Sequence, residues 1–361
     1  MKARLMDMGS VSPLRSQSLY HALTASMDAG SDVVITLMRP KARYVSIGFF
    51  QEAGVEVDLE FCRRNKLEVI RRQVGGGAVL LDGGQLFFHV ILPSARAGEL
   101  GLPPRLGDRF AHLAAPPIDA YRKLGIQAEF RPVNDIHVQG RKIGGTGMGE
   151  IGEGLVFAGS MMLDFDTATM ARVLKVPEEK MRDKIAETLD AYMTTMKREL
   201  GEKPALATVA EHLVDAFEER YGLELIPSLP TPEELDEVYR WDGILSNEEW
   251  LNQVALAPRA ARDVKISADV HLLHAQHKAS GGMIRATARV VDERIGEILF
   301  SGDFPVTPKS ALAELAGEFS GAETDLDDLQ RRVEKAFQAG TFEMAGVEPA
   351  DFVALFQQLV Q

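Results

Sequence analysis

The sequence predicts an α+β fold in two domains, and three observations carry that expectation. Short apolar strands are mixed with scattered helices and show no regular βαβ alternation, which argues against a doubly wound sheet. The chain has 361 residues, more than one core organises at roughly 150 residues per domain. After Trp241 the pattern changes from acidic helices to alternating strands. The expected division is a larger domain with a mixed or antiparallel sheet over residues 1–240, then a small α+β domain over 241–361.

The elements follow in order. Leu19–Ala25 reads as a short helix, and Val33–Met38 and Tyr44–Phe49 as strands around a turn at Arg39-Pro40-Lys41. Asp58 is placed to cap a helix running to Asn65. Leu67–Arg72 is a strand that enters the triple glycine Gly75-Gly76-Gly77, followed by strand Ala78–Leu81, the turn Asp82-Gly83-Gly84 and strand Leu86–Leu92. Residues 105–124 are helical, with a break expected at Pro116-Pro117. Gln139-Gly140 lies between Ile136–Val138 and Lys142-Ile143 as a tight hairpin turn. Leu155–Phe165 is a further strand, and 167–240 is helical, interrupted by a loop-like linker at 226–232 with Thr231 capping the next helix. Beyond it, Val264–Leu273, Met283–Val291 and Ile295–Phe300 alternate as strands, and helices follow near 308–317, 325–338 and 349–358.

Composition narrows the function classes. Hydrophobic content of 45% and charged content of 26% exclude a mostly disordered chain. A net charge of −13 argues against non-specific nucleic-acid or anionic-membrane binding, which needs clustered positive charge. A local basic site is still allowed, because surface charges beyond about 8 Å are screened at physiological salt. One cysteine, Cys62, excludes an internal disulfide and multi-cysteine metal sites, and fits a reducing compartment. The first residues lack an apolar stretch of signal-peptide length and no run approaches a membrane span, so the expected address is the cytoplasm.

Two motifs carry chemistry. The first is Arg71-Arg72-Gln73-Val74-Gly75-Gly76-Gly77-Ala78-Val79, followed by Asp82-Gly83-Gly84-Gln85. Consecutive glycines lose extra backbone entropy on folding and make sense where a backbone must come very close to something. Bare N–H groups in such a loop form an anion site, and a neighbouring arginine adds charge. The alternative is a glycine-rich hairpin with solvated arginines; the spacing matches neither the P-loop nor the dinucleotide fingerprint. The second motif is Asn134-Asp135-Ile136-His137-Val138-Gln139-Gly140-Arg141-Lys142-Ile143-Gly144-Gly145-Thr146-Gly147. A lysine mounted on a strand is a fixed point charge for a carboxylate and a phosphate that must be brought together. Asn134 and Asp135 can orient ribose, base or a metal; an exposed, solvated hairpin lysine is the bland alternative.

Together the two motifs resemble the lipoate–protein ligase family of the biotin/lipoate protein ligase superfamily. The likeness runs through Arg-Arg-x-x-Gly-Gly-Gly-Ala-Val-x-x-Asp-x-Gly and through Asn-Asp-φ-x-φ-x-Gly-Arg-Lys-φ-x-Gly, where φ is apolar, in the family's order and spacing. Ser46-Ile47-Gly48-Phe49-Phe50-Gln51 and the strand Ala158–Leu163 add to it, and it covers roughly residues 1–220. Val264-Lys265-Ile266, Gly281–Arg285 and Ser301–Phe304 resemble the family's accessory domain, here fused to the C-terminus. The resemblance implies a ligase-type catalytic domain over 1–240, with ATP and Mg²⁺ as cofactors and lipoate as substrate. It implies Lys142 as the catalytic lysine between lipoate carboxyl and α-phosphate, and Asp135, with Asn134, at the nucleotide and its Mg²⁺. Arg72, Gly75, Gly76, Gly77, Ala78, Val79, Asp82, Gln85, Gly145, Thr146, Gly159 and Ser160 would line the lipoyl-adenylate site. The acceptor would be a protein with a lipoyl domain: a 2-oxoacid dehydrogenase subunit, a glycine-cleavage H protein or a lipoate-binding protein.

The chain departs from the family's pattern in places. Gly145-Thr146-Gly147 stands where Gly-Ser-Ala is usual, Ala158-Gly159-Ser160 where His-Gly-Thr is usual, and Gln85 where Asn is usual. A related group of transferases moves octanoyl chains with a cysteine shortly before the Asn-Asp segment, and none is there. An octanoyl or lipoyl transferase and a non-catalytic lipoyl-binding protein stay open as alternatives. His271, His274 and His277 read as incidental rather than as a metal site, His89 as a core or pocket-wall residue rather than a base, Met181, Met193 and Met196 as helix packing, Asp325, Asp327 and Asp328 as helix N-terminal acids, and Cys62 as a packing or surface residue.

Overall fold

Ten residues at the N-terminus, Lys2–Val11, form a strand that alternation does not reveal. Gly9 at φ 58° and a register shift between Asp7 and Ser10 break the two-residue period there. The computed structural model describes residues 1–176, 179–255 and 270–360. Its residues divide into two compact units: Met1–Ile47, Gly54–Val74 and Ala78–Leu251 in the first, and Gly48–Ala53, Gly75–Gly77 and Asn252–Gln361 in the second.

The strands of the first unit, in chain order, are β1 (Lys2–Val11), β2 (Val34–Pro40), β3 (Tyr44–Ile47), β4 (Val69–Arg71), β5 (Val79–Leu81), β6 (Gln85–Pro93), β7 (Glu129–Arg131), β8 (Asp135–Val138), β9 (Arg141–Ile151), β10 (Gly154–Met162) and β11 (Glu224–Pro227). Eight of them make one mixed sheet in the order β11-β1-β2-β6-β10-β9-β8-β7, and β4-β3-β5 make a second. The pairings β11–β1, β1–β2 and β3–β4 are parallel, and the others antiparallel. The fold is therefore α+β with a mixed sheet, as the missing βαβ alternation predicts.

The linker expected at 226–232 is corrected in part. Ile226 and Pro227 belong to β11 and pair with Arg4 and Leu5 of β1. A proline at the end of an edge strand disturbs no interior ladder, so a strand is possible where the sequence reads as a loop. Thr231 caps the next helix, Pro232–Leu245, in a capping box with Glu234. The first helix runs Pro13–Ala25 rather than from Leu19, with Ser12 accepting from Arg15 N. Its extra turns bury Ser16, Gln17 and Ser18, polar residues that erase the apolar stripe. Arg39 and Pro40 lie inside β2, so the turn begins later than expected. Pro116 and Pro117 break the 105–124 segment as expected: one helix ends at Leu113, and the next starts at Ala115 with the prolines in its first turn. Asp58 caps Leu59–Arg64. Met193 and Met196 are buried, but Met181 is 48% exposed and packs no core.

In the second unit β12 (Val270–Ala279), β13 (Gly282–Val291) and β14 (Arg294–Gly302) form an antiparallel sheet. The short strands β15 (Val306–Thr307) and β16 (Glu343–Met344) pair separately. Ile284, Ala286, Ala288, Phe300, Phe319, Phe352 and Phe356 form this unit's core with helices Ala311–Gly317, Leu326–Ala339 and Pro349–Leu359. Val264-Lys265-Ile266 lies outside the described residues. Asp325 accepts from Asp328 N as a helix cap, His274 contacts Thr287, and His277 contacts Asp351. No helix among the described residues is long and apolar enough to cross a membrane.

His89 illustrates burial acting on a titrating group. It lies inside β6, stacks on Tyr20 and hydrogen-bonds Thr36 through Nδ1 at 2.7 Å. Burial depresses its pKa from 6.5 to about 3. Between those values the unfolded chain binds a proton that the folded chain does not. The contribution to stability is therefore full above pH 6.5 and is lost as pH falls toward 3. The expected slope over this window approaches about 1.4 kcal/mol per pH unit from this residue. Urea unfolding of wild type and His89→Gln at pH 7, 5.5 and 4.5 checks it: the variant is expected to show the shallower dependence.

Candidate active site

The geometry of the second motif is set by an irregularity in the β8–β9 ladder. Gln139 and Gly140 both adopt positive φ, 49° and 79°, as a two-residue hairpin turn of this hand requires. Past the turn Val138 pairs with Arg141 and His137 with Lys142, but Ile136 then pairs with Gly144. Ile143 is the extra residue of a β-bulge. Side chains three apart on a regular strand point to opposite faces; the bulge places Lys142 and Gly145 on the same face, together with Asp135 and His137. Ser160, paired with Gly145, joins them from β10. Tyr121 donates its hydroxyl hydrogen to the Ile143 carbonyl at 2.7 Å and accepts from Met162 N at 3.1 Å, bridging β9 and β10 beside the bulge.

On this face the Lys142 ammonium lies 2.7 Å from Asp135 Oδ1. It reaches there by passing over Gly145: a Cβ built on that residue would sit 3.2 Å from both Cε and Nζ of Lys142. Gly144 is needed for a different reason, since its Cβ would lie 2.9 Å from the Ser160 carbonyl oxygen. Asn134 donates to the Thr146 carbonyl at 2.7 Å, while its own carbonyl accepts from Thr146 N and Oγ1. Asn134 and Thr146 thus lock the entry of β8 to β9. Gly159 pairs with Thr146, and a side chain there would strike the Phe88 ring at 2.2 Å.

The first motif falls on the β4-β3-β5 sheet and the turn after it. Arg72 donates from Nη1 to the Ser46 carbonyl at 3.1 Å and to its hydroxyl at 3.3 Å. Burial lowers the pKa of its guanidinium, and the neighbouring Tyr20 and Tyr44 oppose that shift. Both residues flanking Arg72 are pinned. Arg71, 0% exposed, donates to the Trp250 and Leu251 carbonyls, and Trp250 Nε1 returns a bond to the Arg71 carbonyl at 3.0 Å. His21 Nε2 accepts from Gln73 N at 2.9 Å while Nδ1 faces the Gln17 carbonyl at 2.6 Å, which places the ring proton on Nδ1. Ala78 precedes β5, and Val79 opens it. Asp82 Oδ1 accepts from Gly84 N at 2.8 Å, and Gln85 Nε2 donates to the Leu80 carbonyl at 3.2 Å. Gly75, Gly76 and Gly77 group with the second unit, where a Cβ on Gly48 would collide with the Gly76 carbonyl oxygen at 1.9 Å.

The sequence motifs do not disclose three residues beside Lys142. Tyr192 lies 50 positions beyond it, at the end of the helix Glu179–Tyr192, yet its hydroxyl stands 3.3 Å from Asp135 Oδ2. His137 lies inside the motif but reads only as a strand residue, and Tyr121 carries no local signal. Among the described residues no group of three or more His, Cys, Asp or Glu side chains is arranged to hold a metal ion.

Gly145→Ala is expected to leave the chain folded, with a stability loss of about 1 kcal/mol or less, because the crowded atoms belong to the far end of a flexible side chain. The same variant is expected to drive the ammonium off Asp135. A crystal structure of the variant checks this: the Nζ–Oδ1 separation should exceed the salt-bridge limit of about 4 Å.

Comparison with known proteins finds relatives of this chain. Residues 12–218 match the family described as the lipoyl protein ligase A/B catalytic domain. A lipoate–protein ligase of Streptococcus pyogenes is 26% identical over 294 residues, 79% of this chain and 79% of its own length. An octanoyltransferase LipM of Kyrpidia tusciae is 26% identical over 57% of this chain and 82% of its own. A bipartite lipoate protein ligase of Thermoplasma acidophilum, from a structural study with its E2 lipoyl domain, superposes with a TM-score of 0.64 at 25% identity, covering 72% of this chain and 99% of that one. LipL1 of P. falciparum, solved in complex with lipoate, shares the fold over 92% of this chain and 94% of its own at a TM-score of 0.68 and 15% identity.

Proposed function

The chain belongs to the lipoyl protein ligase A/B family, matched over residues 12–218, and from that premise we propose that it is an ATP-dependent lipoate–protein ligase. Relatives of both kinds, ligase and octanoyltransferase, stand at the same 26% identity, so the choice rests on the site's own chemistry. One observation carries it: a strand-mounted ammonium, Lys142, is held on a face where no cysteine stands. The chain's one cysteine, Cys62, is buried in the helix Leu59–Arg64, and burial pushes its thiol up to about 11. A thiol so placed is a poor nucleophile for acyl exchange.

The proposed reaction needs charge, not a nucleophile from the protein. A lipoate carboxylate oxygen attacks the α-phosphorus of ATP; the new C–O–P link forms as the bond to pyrophosphate breaks. Two anions must approach for this, and Lys142 between them offsets their repulsion and the charge developing on the α-phosphoryl oxygens. An acceptor lysine amine then attacks the activated carbonyl, its proton is lost, and AMP leaves with the bonding pair. Holding the reactants together supplies much of the rate. Asp135 is the residue that would hold Mg²⁺. Its Oδ1 faces Lys142 and its Oδ2 faces Tyr192, so an ion arriving on the triphosphate would share this carboxylate with them. When bound, that ion adds positive charge at the phosphates.

The assignment of Arg72, Ala78, Val79, Asp82, Gln85, Asn134, Gly145, Thr146, Gly159 and Ser160 to lipoyl-adenylate binding belongs to the same proposal, as does a division into a catalytic part over 1–240 and an accessory part over 241–361. The acceptor is proposed to be a protein carrying a lipoyl domain.

Lipoate-dependent exchange of labelled pyrophosphate into ATP tests the reading. Wild type is expected to exchange, and Lys142→Ala to lose about 100-fold or more, the scale for removing one preorganised charge. Absence of exchange in wild type, together with acyl transfer from an octanoyl carrier protein, would establish the transferase instead.

A further inference from the structure

The segment following the helix Glu179–Tyr192 is fastened to Lys142 from the side. Thr194 N donates to the Lys142 carbonyl at 2.8 Å, and Met193 bridges the same residue in parallel. Thr194 Oγ1 donates to Glu199, and Glu199 accepts from Arg141, the residue before the lysine. The Lys142 main chain and the Arg141 side chain before it are therefore both fastened to this segment. This clamp delivers Tyr192 to the far side of Asp135.

There the Tyr192 hydroxyl lies 3.3 Å from Asp135 Oδ2 and 3.3 Å from His137 Nε2. The two rings meet edge to face at 5.6 Å. His137 is 3% exposed, and its Nδ1 is buried without a hydrogen-bond partner among the described residues. A buried N–H without a partner is costlier than a bare ring nitrogen there, so the ring proton belongs on Nε2. The hydrogen bonds then run in one direction: His137 Nε2–H donates to Tyr192 Oη, Tyr192 Oη–H donates to Asp135 Oδ2, and Lys142 donates to Asp135 Oδ1.

We propose that Tyr192, oriented by His137, is a positioning residue for Lys142. It holds one oxygen of Asp135 so that the other fixes the ammonium over Gly145, where the charge is needed. Tyr192 acts through Asp135 and touches no substrate. The role in catalysis rests on the ligase reading; the hydrogen-bond chain does not.

The test has two arms for that reason. Nitrogen-15 NMR of histidine-labelled wild type, with His137 assigned from a His137→Gln sample, reads the tautomer directly. The proton is expected on Nε2, and a proton on Nδ1 overturns the proposal whatever the protein catalyses. In the second arm, steady-state lipoyl-adenylate formation is measured for Tyr192→Phe, His137→Phe, His137→Gln and the Tyr192→Phe/His137→Phe double variant. Tyr192→Phe is expected to lower kcat about three- to tenfold, the scale of one hydrogen bond, with the KM for lipoate within about twofold of wild type. His137→Phe should match it, and the double variant should be no worse than either, because all three break one chain. His137→Gln keeps an N–H donor and should retain most of the rate. An unchanged kcat in Tyr192→Phe, additive losses in the double variant, or a parallel rise in KM overturns the proposal. If wild type makes no adenylate, the ligase reading fails and the NMR arm alone decides the hydrogen-bond chain.

Discussion

Ile143 takes a place in β9 that has no partner on β8, and the strand bends around it. Side-chain direction alternates along a strand with period two, so this one unpaired residue reverses the face of everything before it relative to everything after. Lys142 thereby shares a face with Gly145, and the glycine leaves room for its methylene chain to cross. Asp135, opposite Gly145 on β8, receives the ammonium at 2.7 Å. Without the bulge the lysine and the carboxylate would project from opposite sides of the sheet. The Ile143 carbonyl is bonded from outside the sheet, by the hydroxyl of Tyr121, which also accepts from Met162 N of β10.

The Arg72 side is built on the opposite principle, with buried polar groups in place of a strand irregularity. Arg71 and Gln73 are held by bonds between side chain and main chain with Leu251, Trp250 and His21, on segments far apart in sequence. Tyr44, buried beside them, takes bonds from Gln17 and shares one with Ser16. Such networks are stable only when every member is satisfied, and removing one partner strands the rest in a low-dielectric interior. This accounts for the polar residues that the first helix buries at Ser16, Gln17 and His21, and for their invisibility to an amphipathic pattern.

Much of the fold is legible in the sequence, and the misses share a cause. Turns announced by Gln139-Gly140, Pro116-Pro117 and the Asp58 and Thr231 caps fall where local chemistry puts them, because those residues act through their own backbone. The strand Lys2–Val11 is hidden because Gly9 and a register shift break its period, and Glu224–Pro227 because its proline reads as a loop. Both are fixed by their pairing with each other, a contact across more than two hundred residues. Within the candidate site, Lys142 and Asp135 stand out because the motif places them on facing strands. The bulge itself is absent from any spacing rule, and Tyr192 is brought in by tertiary packing of a segment 50 positions away.

The most direct measurement is a crystal structure of the wild-type chain with lipoate and a non-hydrolysable ATP analogue bound. The account predicts Ile143 still unpaired on β9 and the Lys142 ammonium about 3 Å from both a carboxylate oxygen of lipoate and an α-phosphate oxygen. A regular β8–β9 ladder, or an ammonium turned to the opposite face of the sheet from the two ligands, would contradict it.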